Sequence, residues 1–561
     1  MTLAMKVHEH ASGGYMQRTH AFTQYYGIFE RMVDWQYELG GMNEAYEAME
    51  RSRARTLLDI MRANGIDFLT GAPEETARKL RATEEAARSD VKVAEQAEQP
   101  NLLAAARQKH DEAIGAILAE SQAYQPMNII AFETVRQMLT ADKTLALAYF
   151  IGDKKSYLLF YGFDTEPKLL PLELDENQAK LFGVEEGYLT ATKLMSLLLN
   201  EKRDGTLQLI SDTYDNSAIP KNKTDDGKPT PKTLEKLAAL WMILIPDVQI
   251  RTRIIDSRVL DKLLILPDGA LARFPFEALV VEQDAVNPRY LLDIGPATVY
   301  APSASMYYNL KRRSTESVTP HVLTVGNPDY NHNRGTMPSA TRVERRNITR
   351  GARFDVLSML PGTEKETQQI VNSCKSNDIA VRRLDGKEST EENVRQNVAG
   401  KTIVHLACHG RVDEESNYSA LELTVVDRNN KKNDGNLALS EMFDLNLQSC
   451  ELAVLSACVT NTGQQQHGEG TWSMGRGMLA SGAKRVVTTN WDVADASSAL
   501  LMYFFIDEIN GAINASSGPN HAAALRQAKR EIRSGFNLEG EEVPEWRHPY
   551  YWAPFVLIGP N

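Results

Sequence analysis

The chain has 561 residues, and 62 Lys and Arg against 74 Asp and Glu leave a formal net charge of −12. Hydrophobic residues make up 42% and charged residues 24%, a globular balance over about three to five domain-sized units. No apolar run approaches the ~18 residues of a membrane span, no secretion signal opens the chain, four cysteines build no disulfide framework, and the acidic balance argues against direct nucleic-acid binding. The expectation is a cytoplasmic protein with reduced thiols, away from membranes and nucleic acid.

Residues 16–66 show helical spacing of apolar residues, punctuated by Gly40-Gly41 and Asn43. Trp35, Leu39-Gly40, Ala45 and Ala48 resemble one tetratricopeptide unit, assigned to 1–72. About three such repeats are needed to bury a continuous core, so this unit is expected to extend an array or to dock on the next domain. Residues 73–125 predict an antiparallel hairpin, with helices over 74–97 and 101–122 broken at Gln99-Pro100. Its charges are expected to form a solvated face.

From about 140 the period changes from 3.6 to 2. TLALAYFIG, SYLLFYGF and KLLPLEL read as strands of a meander. Helical stretches follow near 176–200 and 231–249, and the polar segment 203–231 between them predicts a mobile insertion. After 255 short apolar strands alternate with helices. KLLILPDG, HVLTVGNP, KTIVHLACHG, ELAVLSAC, KRVVTTNW and FVLIGP are the strands; 362–377, 388–399, 473–482, 494–512 and 519–534 are helical. Such alternation, with strands apolar on both faces, predicts an α/β domain with a mostly parallel sheet. Two interruptions stand out: the arginine-rich 329–356 and the polar turn 427–436.

Two strands run into reactive side chains, 402–408 into His409-Gly410 and 452–457 into Cys458. In an open parallel sheet chemistry gathers beyond the carboxyl ends of the strands. Adjacent strands would place imidazole beside thiol, the minimum set for acyl transfer. A free thiol is only about a few per cent ionised at neutral pH, so it needs a base, and the leaving amine needs an acid. Gly410 would let backbone approach a substrate, and the N–H groups of Gly410 and Cys458 would face the oxyanion. A metal at His405, Cys408 and His409 is rejected, because neighbouring side chains of a strand face opposite ways and no C-x-x-C partner exists. His467 reads as a loop histidine. Phosphate-loop and serine-elbow strings are absent.

The residues carry a wider likeness. LLILPDGALARFPFEAL (263–279), YAPSASM (300–306), VGNP (325–328), LPGTEKE (360–366), TIVHLACHG (402–410), LAVLSACVTNTG (452–463), GEGTWSMGRGMLASGAKRVVTTNWDVAD (468–495) and HPYYWAPFVLIG (548–559) resemble, in order, the CHAT family of caspase-like peptidases related to separase. The resemblance covers about 135–561. It implies a caspase-like, mostly parallel sheet flanked by helices, preceded by an all-α tetratricopeptide-like and helical-hairpin region. It implies a non-catalytic half over 126–325 and a catalytic half over 326–561.

The same resemblance makes His409 the catalytic histidine and Cys458 the nucleophile, with no cofactor. Trp491-Asp492-Val493-Ala494-Asp495 resembles the separase segment whose acid meets a P1 arginine. It implies Arg ahead of Lys at P1, with Asp492 the leading acid and Asp495 the runner-up, because a carboxylate matches guanidinium bidentately. The competing reading of Asp495 is a cap on the helix that begins near 494–496. With Arg at P1, 329–356 becomes a candidate autocleavage segment. Relatives of this architecture act as regulated bacterial effectors in defence, which implies a protein substrate and an activating protein partner bound through the helical region. The rival expectation is a catalytically silent scaffold.

Overall fold

The computed structural model describes residues 26–53, 73–96, 100–124, 129–214, 219–256, 259–283, 287–313, 319–330, 360–413, 418–426, 434–462, 465–466, 470–471, 473–515 and 518–561. His467, most of 329–356 and most of 427–436 lie outside the described residues.

The first described elements are the helices α1 (Tyr26–Leu39) and α2 (Met42–Arg51). They do not stand apart as a repeat. Tyr26, Phe29, Val33, Tyr46 and Met49 belong to the same continuous core as the strands that follow. Glu50 accepts the backbone N–H groups of Ala304 and Ser305, at 2.9 and 2.8 Å. These are orphan donors at the start of helix α7 (below), so a carboxylate there satisfies both hydrogen bonding and dipole. Of the two outcomes expected for this unit, docking is the one observed.

Helices α3 (Glu74–Gln96) and α4 (Pro100–Tyr124) form the predicted hairpin. Pro100 opens α4, the position where its missing N–H costs nothing. The charges of the hairpin are not all solvated, contrary to expectation. Arg88 pairs with Asp444, and Arg107 reaches Asp413 at 3.3 Å while its guanidinium lies 4.0 Å over the Tyr418 ring. Fully buried His110 sits between Glu84, at 2.9 Å, and the Tyr418 hydroxyl, at 3.3 Å. The hairpin is therefore clamped onto the C-terminal part of the chain, at Asp413, Tyr418 and Asp444.

After α5 (Phe132–Ala141) come the meander strands β1 (Thr144–Ile151), β2 (Ser156–Gly162) and β3 (Thr165–Leu174), with the short β4 (Gly187–Tyr188). Every residue of β1 and β2 is buried, which explains their unbroken apolar reading. The segment 203–231 departs from its expected mobility. Thr206–Ser211 is a helix with Leu207, Leu209 and Ile210 buried, and bridges at Thr213–Pro220 and Lys223–Pro229 order other described parts of it, 215–218 lying outside the described residues. Its Asp204 carboxylate pairs with Lys232 at 2.9 Å and with buried Lys236 at 3.4 Å. Polar composition hid the buried trio Leu207, Leu209 and Ile210, whereas Tyr214 and Ile219 are exposed.

Helix α6 (Pro231–Leu244) leads to β5 (Lys262–Leu266), β6 (Ala297–Tyr300) and α7 (Ala304–Arg312). The C-terminal half then runs β7 (His321–Pro328), α8 (Pro361–Ser376), β8 (Ala380–Gly386), α9 (Glu391–Asn397), β9 (Ile403–Ala407), a three-stranded ribbon β10–β12 (His409–Arg411, Ala420–Glu422, Asn436–Ala438), β13 (Leu452–Ser456), α10 (Met474–Ala480), β14 (Val486–Thr489), α11 (Asp495–Ala512), α12 (His521–Ser534) and β15 (Phe555–Ile558).

Twelve strands make one sheet, in the order β8-β7-β9-β13-β14-β15-β6-β5-β1-β2-β3-β4. Strands β8, β7, β9, β13 and β14 are mutually parallel, and β15 runs antiparallel to β14. The chain's last strand also pairs parallel with β6, so it stitches the two halves into a single sheet. Strand order reverses at β7, whose neighbours β8 and β9 follow it in sequence on opposite sides. A crevice at the carboxyl ends of the strands is expected at such a reversal. This is the caspase-like, mostly parallel α/β arrangement. Among the described residues, no helix is long and apolar enough to cross a membrane.

Candidate active site

Four neighbouring strands, β7, β9, β13 and β14, end at the same edge, and two residues past each end stand Tyr330, His409, Cys458 and Trp491. The register of β9 with β13 pairs Ala407 with Ser456, so His409 and Cys458 each stand two residues beyond the last paired positions of adjoining strands. Both are half-buried. Gly410 is required here. A Cβ at 410 would collide with the backbone carbonyl of Cys458, so only glycine lets the two loops approach so closely.

Cys458 differs from the other three cysteines, which are buried. Burial pushes the thiols of Cys374 and Cys450 up to about 11 and about 12, and that of Cys408 higher still. None of these can supply a thiolate near neutrality.

The turn after Cys458 is strained. Val459 has φ 52°, a left-handed value that a β-branched residue rarely adopts. Its surroundings leave little alternative. Thr460 and Thr489 exchange hydrogen bonds, the N–H of Asn461 reaches the Thr489 carbonyl at 2.8 Å, and Asn461 Nδ2 donates to Asn490 Oδ1 at 2.7 Å. Strain of this kind persists where neighbours over-determine the backbone.

Beneath the site lies a buried polar stitch. His405 Nδ1 meets Thr324 Oγ1 at 3.0 Å, and its Nε2 meets Glu366 Oε1 at 2.7 Å. Ser456 also hydrogen-bonds Glu366, and burial raises the carboxyl of Glu366 above the usual carboxylate range. These residues come from β7, β9, α8 and β13, so the stitch fixes the two site-bearing strands against one helix. Both ring nitrogens of His405 are thereby used, which removes it from any metal-ligand set.

The acidic pair divides. Asp492 is exposed. Asp495 is the first residue of α11 but makes no cap on that helix. Its carboxylate instead accepts the N–H of Gly362 at 2.6 Å, at the start of α8. Burial raises its pKa, opposed by hydrogen bonds from Gly362 and Thr363. The self-capping alternative for Asp495 is therefore corrected: its carboxylate serves the start of α8. Trp491 is buried, and its indole N–H donates to the Tyr550 carbonyl at 3.1 Å.

Sequence reasoning missed Tyr330, Glu366 and the Asp495–Gly362 contact. For Tyr330 a signal existed. It stands two residues past a strand end, as do His409 and Cys458.

An α/β fold with imidazole and thiol at adjoining strand ends defines a caspase-like scaffold. Residues 234–560 match the CHAT domain, and the chain belongs to that family. No curated protein matches it in sequence. Similar solved structures include the Arg-specific cysteine proteinase gingipain R, at 10% identity and a TM-score of 0.34, over 56% of this chain and 67% of that one. Another is the Saccharomyces cerevisiae separase–securin complex, at 10% identity and a TM-score of 0.41, over 97% of this chain. The chain spans 43% of the length of that separase chain.

Proposed function

We propose that the protein is a cysteine endopeptidase that hydrolyses peptide bonds of a protein substrate through His409 and Cys458. The observation that supports this reading is that His409 and Cys458 stand just past the ends of adjoining parallel strands, with Gly410 packed against the backbone of Cys458. His409 takes the thiol proton, and the sulfur attacks the scissile carbonyl carbon. As the carbon–nitrogen bond breaks, His409 returns the proton to the departing amine, leaving a thioester. Water, deprotonated by His409, then releases the acid and restores the thiol. The N–H groups of Gly410 and Cys458 are the proposed oxyanion donors. No cofactor enters the scheme.

We infer a basic P1 residue, Arg ahead of Lys. Asp492 is the leading partner because it is exposed at the end of β14. Asp495 is second, since its carboxylate already serves Gly362. Trp491 would form the floor of that pocket. The proposed division into a non-catalytic half (126–325) and a catalytic half (326–561) follows the placement of both reactive residues in the second.

The proposed role is that of a regulated bacterial effector, possible in defence, acting in the cytoplasm. An activating protein partner would bind the helical region. The hairpin's grip on Asp413 and Tyr418, shortly after His409, offers a route from that region to the site. The autocleavage proposal for 329–356 rests on its arginines alone.

The test is cleavage of a fluorogenic peptide panel differing at P1, with Cys458→Ala and Asp492→Asn as variants. Turnover should prefer Arg, vanish in Cys458→Ala, and fall by about 10- to 100-fold in kcat/KM for Arg peptides in Asp492→Asn. A preference for acidic P1 would sink the specificity reading. Absence of both turnover and Cys458 labelling by an Arg-bearing electrophile would favour the scaffold.

A further inference from the structure

Tyr330 lies at the carboxyl end of β7, 79 residues before His409 in the chain, with 2% of its surface exposed. Its phenol oxygen accepts the backbone N–H of His409 at 3.1 Å and donates its own proton to the Glu422 carbonyl at 2.9 Å. Residues 409 and 422 are register partners in the ribbon β10–β11. One hydroxyl therefore spans both strands of that ribbon where it emerges from the sheet. The ring of Tyr330 also lies 5.2 Å from the imidazole of His409, tilted by 52°. That is the spacing of a packed aromatic pair. Burial holds the phenol far above its ordinary pKa, so it stays protonated and both bonds persist through the neutral range.

We propose that Tyr330 is the positioning residue for His409: its hydroxyl fixes the backbone at the root of the imidazole, and its ring limits the swing of the imidazole relative to Cys458. The inference rests on the reading of His409 and Cys458 as a reacting pair and deepens it. The physical need is plain. Residues 409–411 form a three-residue strand in a side ribbon, outside the main sheet's hydrogen-bond ladder. The pairing of β9 ends at Ala407, so the sheet itself does not hold residue 409. Tyr330 ties residue 409 to the neighbouring strand β7. It adds no charge at working pH, so its contribution is geometric. Displacement of a reacting group by about 1 Å costs about 100-fold in rate, so a loosened imidazole should be visible kinetically.

The experiment uses the full chain with Tyr330→Phe, which keeps the ring and loses both hydrogen bonds, and Tyr330→Leu, which loses the ring as well. The first readout is the rate of Cys458 alkylation by iodoacetamide, because only a thiolate reacts and the other three cysteines are buried. Cys458→Ala supplies the blank. The second is turnover of an Arg-P1 peptide, counted per titrated active site.

The alkylation rate and kcat should each fall about tenfold in Tyr330→Phe and further in Tyr330→Leu, with KM held within about twofold. A residue that merely packs the core would lower stability and leave the alkylation rate per folded molecule unchanged. Wild-type alkylation rates in folded Tyr330→Phe would overturn the proposal, and that variant decides the matter if Tyr330→Leu fails to fold. Should the wild-type chain turn over no peptide while alkylation still depends on Tyr330, the peptidase reading falls and the positioning role stands.

Discussion

The two halves of the sheet treat the polar residues at their strand ends in opposite ways. Past the end of β5 stands Asp268, 3% exposed. Its carboxylate accepts the Tyr26 hydroxyl and the Ile151 N–H, both at 2.8 Å, and its own neighbour Gly269 at 2.9 Å. Every bond closes back onto the protein. Past the ends of β9 and β13 stand His409 and Cys458, both half-buried, with strained backbone beside the thiol. The same architectural position is fully buried in one half and half-exposed in the other, where the proposed reacting pair stands.

The sharpest way to break this comparison is to delete one residue from each end. His409→Ala should lower peptide turnover by roughly 100- to 10,000-fold, the scale of general acid–base catalysis, with little change in the urea midpoint. Asp268→Ala should do the reverse. It leaves the buried Ile151 N–H without its carboxylate acceptor, while the Tyr26 hydroxyl keeps the Ile151 carbonyl at 3.3 Å, and should cost about 2 kcal/mol in urea denaturation. Turnover per folded active site should stay near the wild-type value. If Asp268→Ala instead abolished turnover at full stability, the division between closed and open strand ends would be wrong.

A buried imidazole extends the closed side of the comparison. His548 is fully buried, and burial pushes its pKa down to about 3. Its Nδ1 accepts the Tyr550 N–H at 3.1 Å, and its Nε2 contacts the Asn222 carbonyl at 3.3 Å. The folded state therefore keeps it neutral, while the unfolded chain protonates it near about 6.5. Between those values the unfolded state binds more protons. Its stability contribution is complete above about pH 6.5 and falls as pH drops toward 3, by up to about 1.4 kcal/mol per pH unit. His548→Asn keeps a helix-capping side chain without the titration. Urea midpoints at descending pH should show a shallower decline in this variant. Some slope should remain, because burial also lowers the pKa of His521. An unchanged slope would mean that His548 charges freely in the folded protein.

The contrast explains what was legible in the sequence. The strands and most helices were, because alternation and apolar runs are local signals. The position of His409 and Cys458 at strand ends was, because each follows its strand directly. The rest depended on meetings between distant segments. Glu366 reaches His405 across 39 residues, and Asp495 reaches Gly362 across 133. Composition cannot report such pairs, since each member taken alone reads as an ordinary helix or strand residue. The insertion 203–231 misled for the complementary reason. Its polar majority outweighed Leu207, Leu209 and Ile210, which anchor it.

The smallest expected effect sharpens the comparison at the open end. Val459 holds its left-handed conformation at a cost of about 1–3 kcal/mol. Glycine adopts that conformation without penalty but adds about 0.5–1 kcal/mol of chain entropy to be lost on folding. The balance predicts that Val459→Gly raises stability by about 1 kcal/mol in urea denaturation. The freed turn should also let Cys458 wander, and turnover per active site should fall about threefold, the usual trade between site strain and stability. A variant that is both less stable and equally active would show that the strain at Val459 is not what distinguishes this strand end. A variant that gains stability and loses rate would tie the backbone strain directly to the placement of the thiol, and no equivalent trade should exist at Asp268, where nothing is held open.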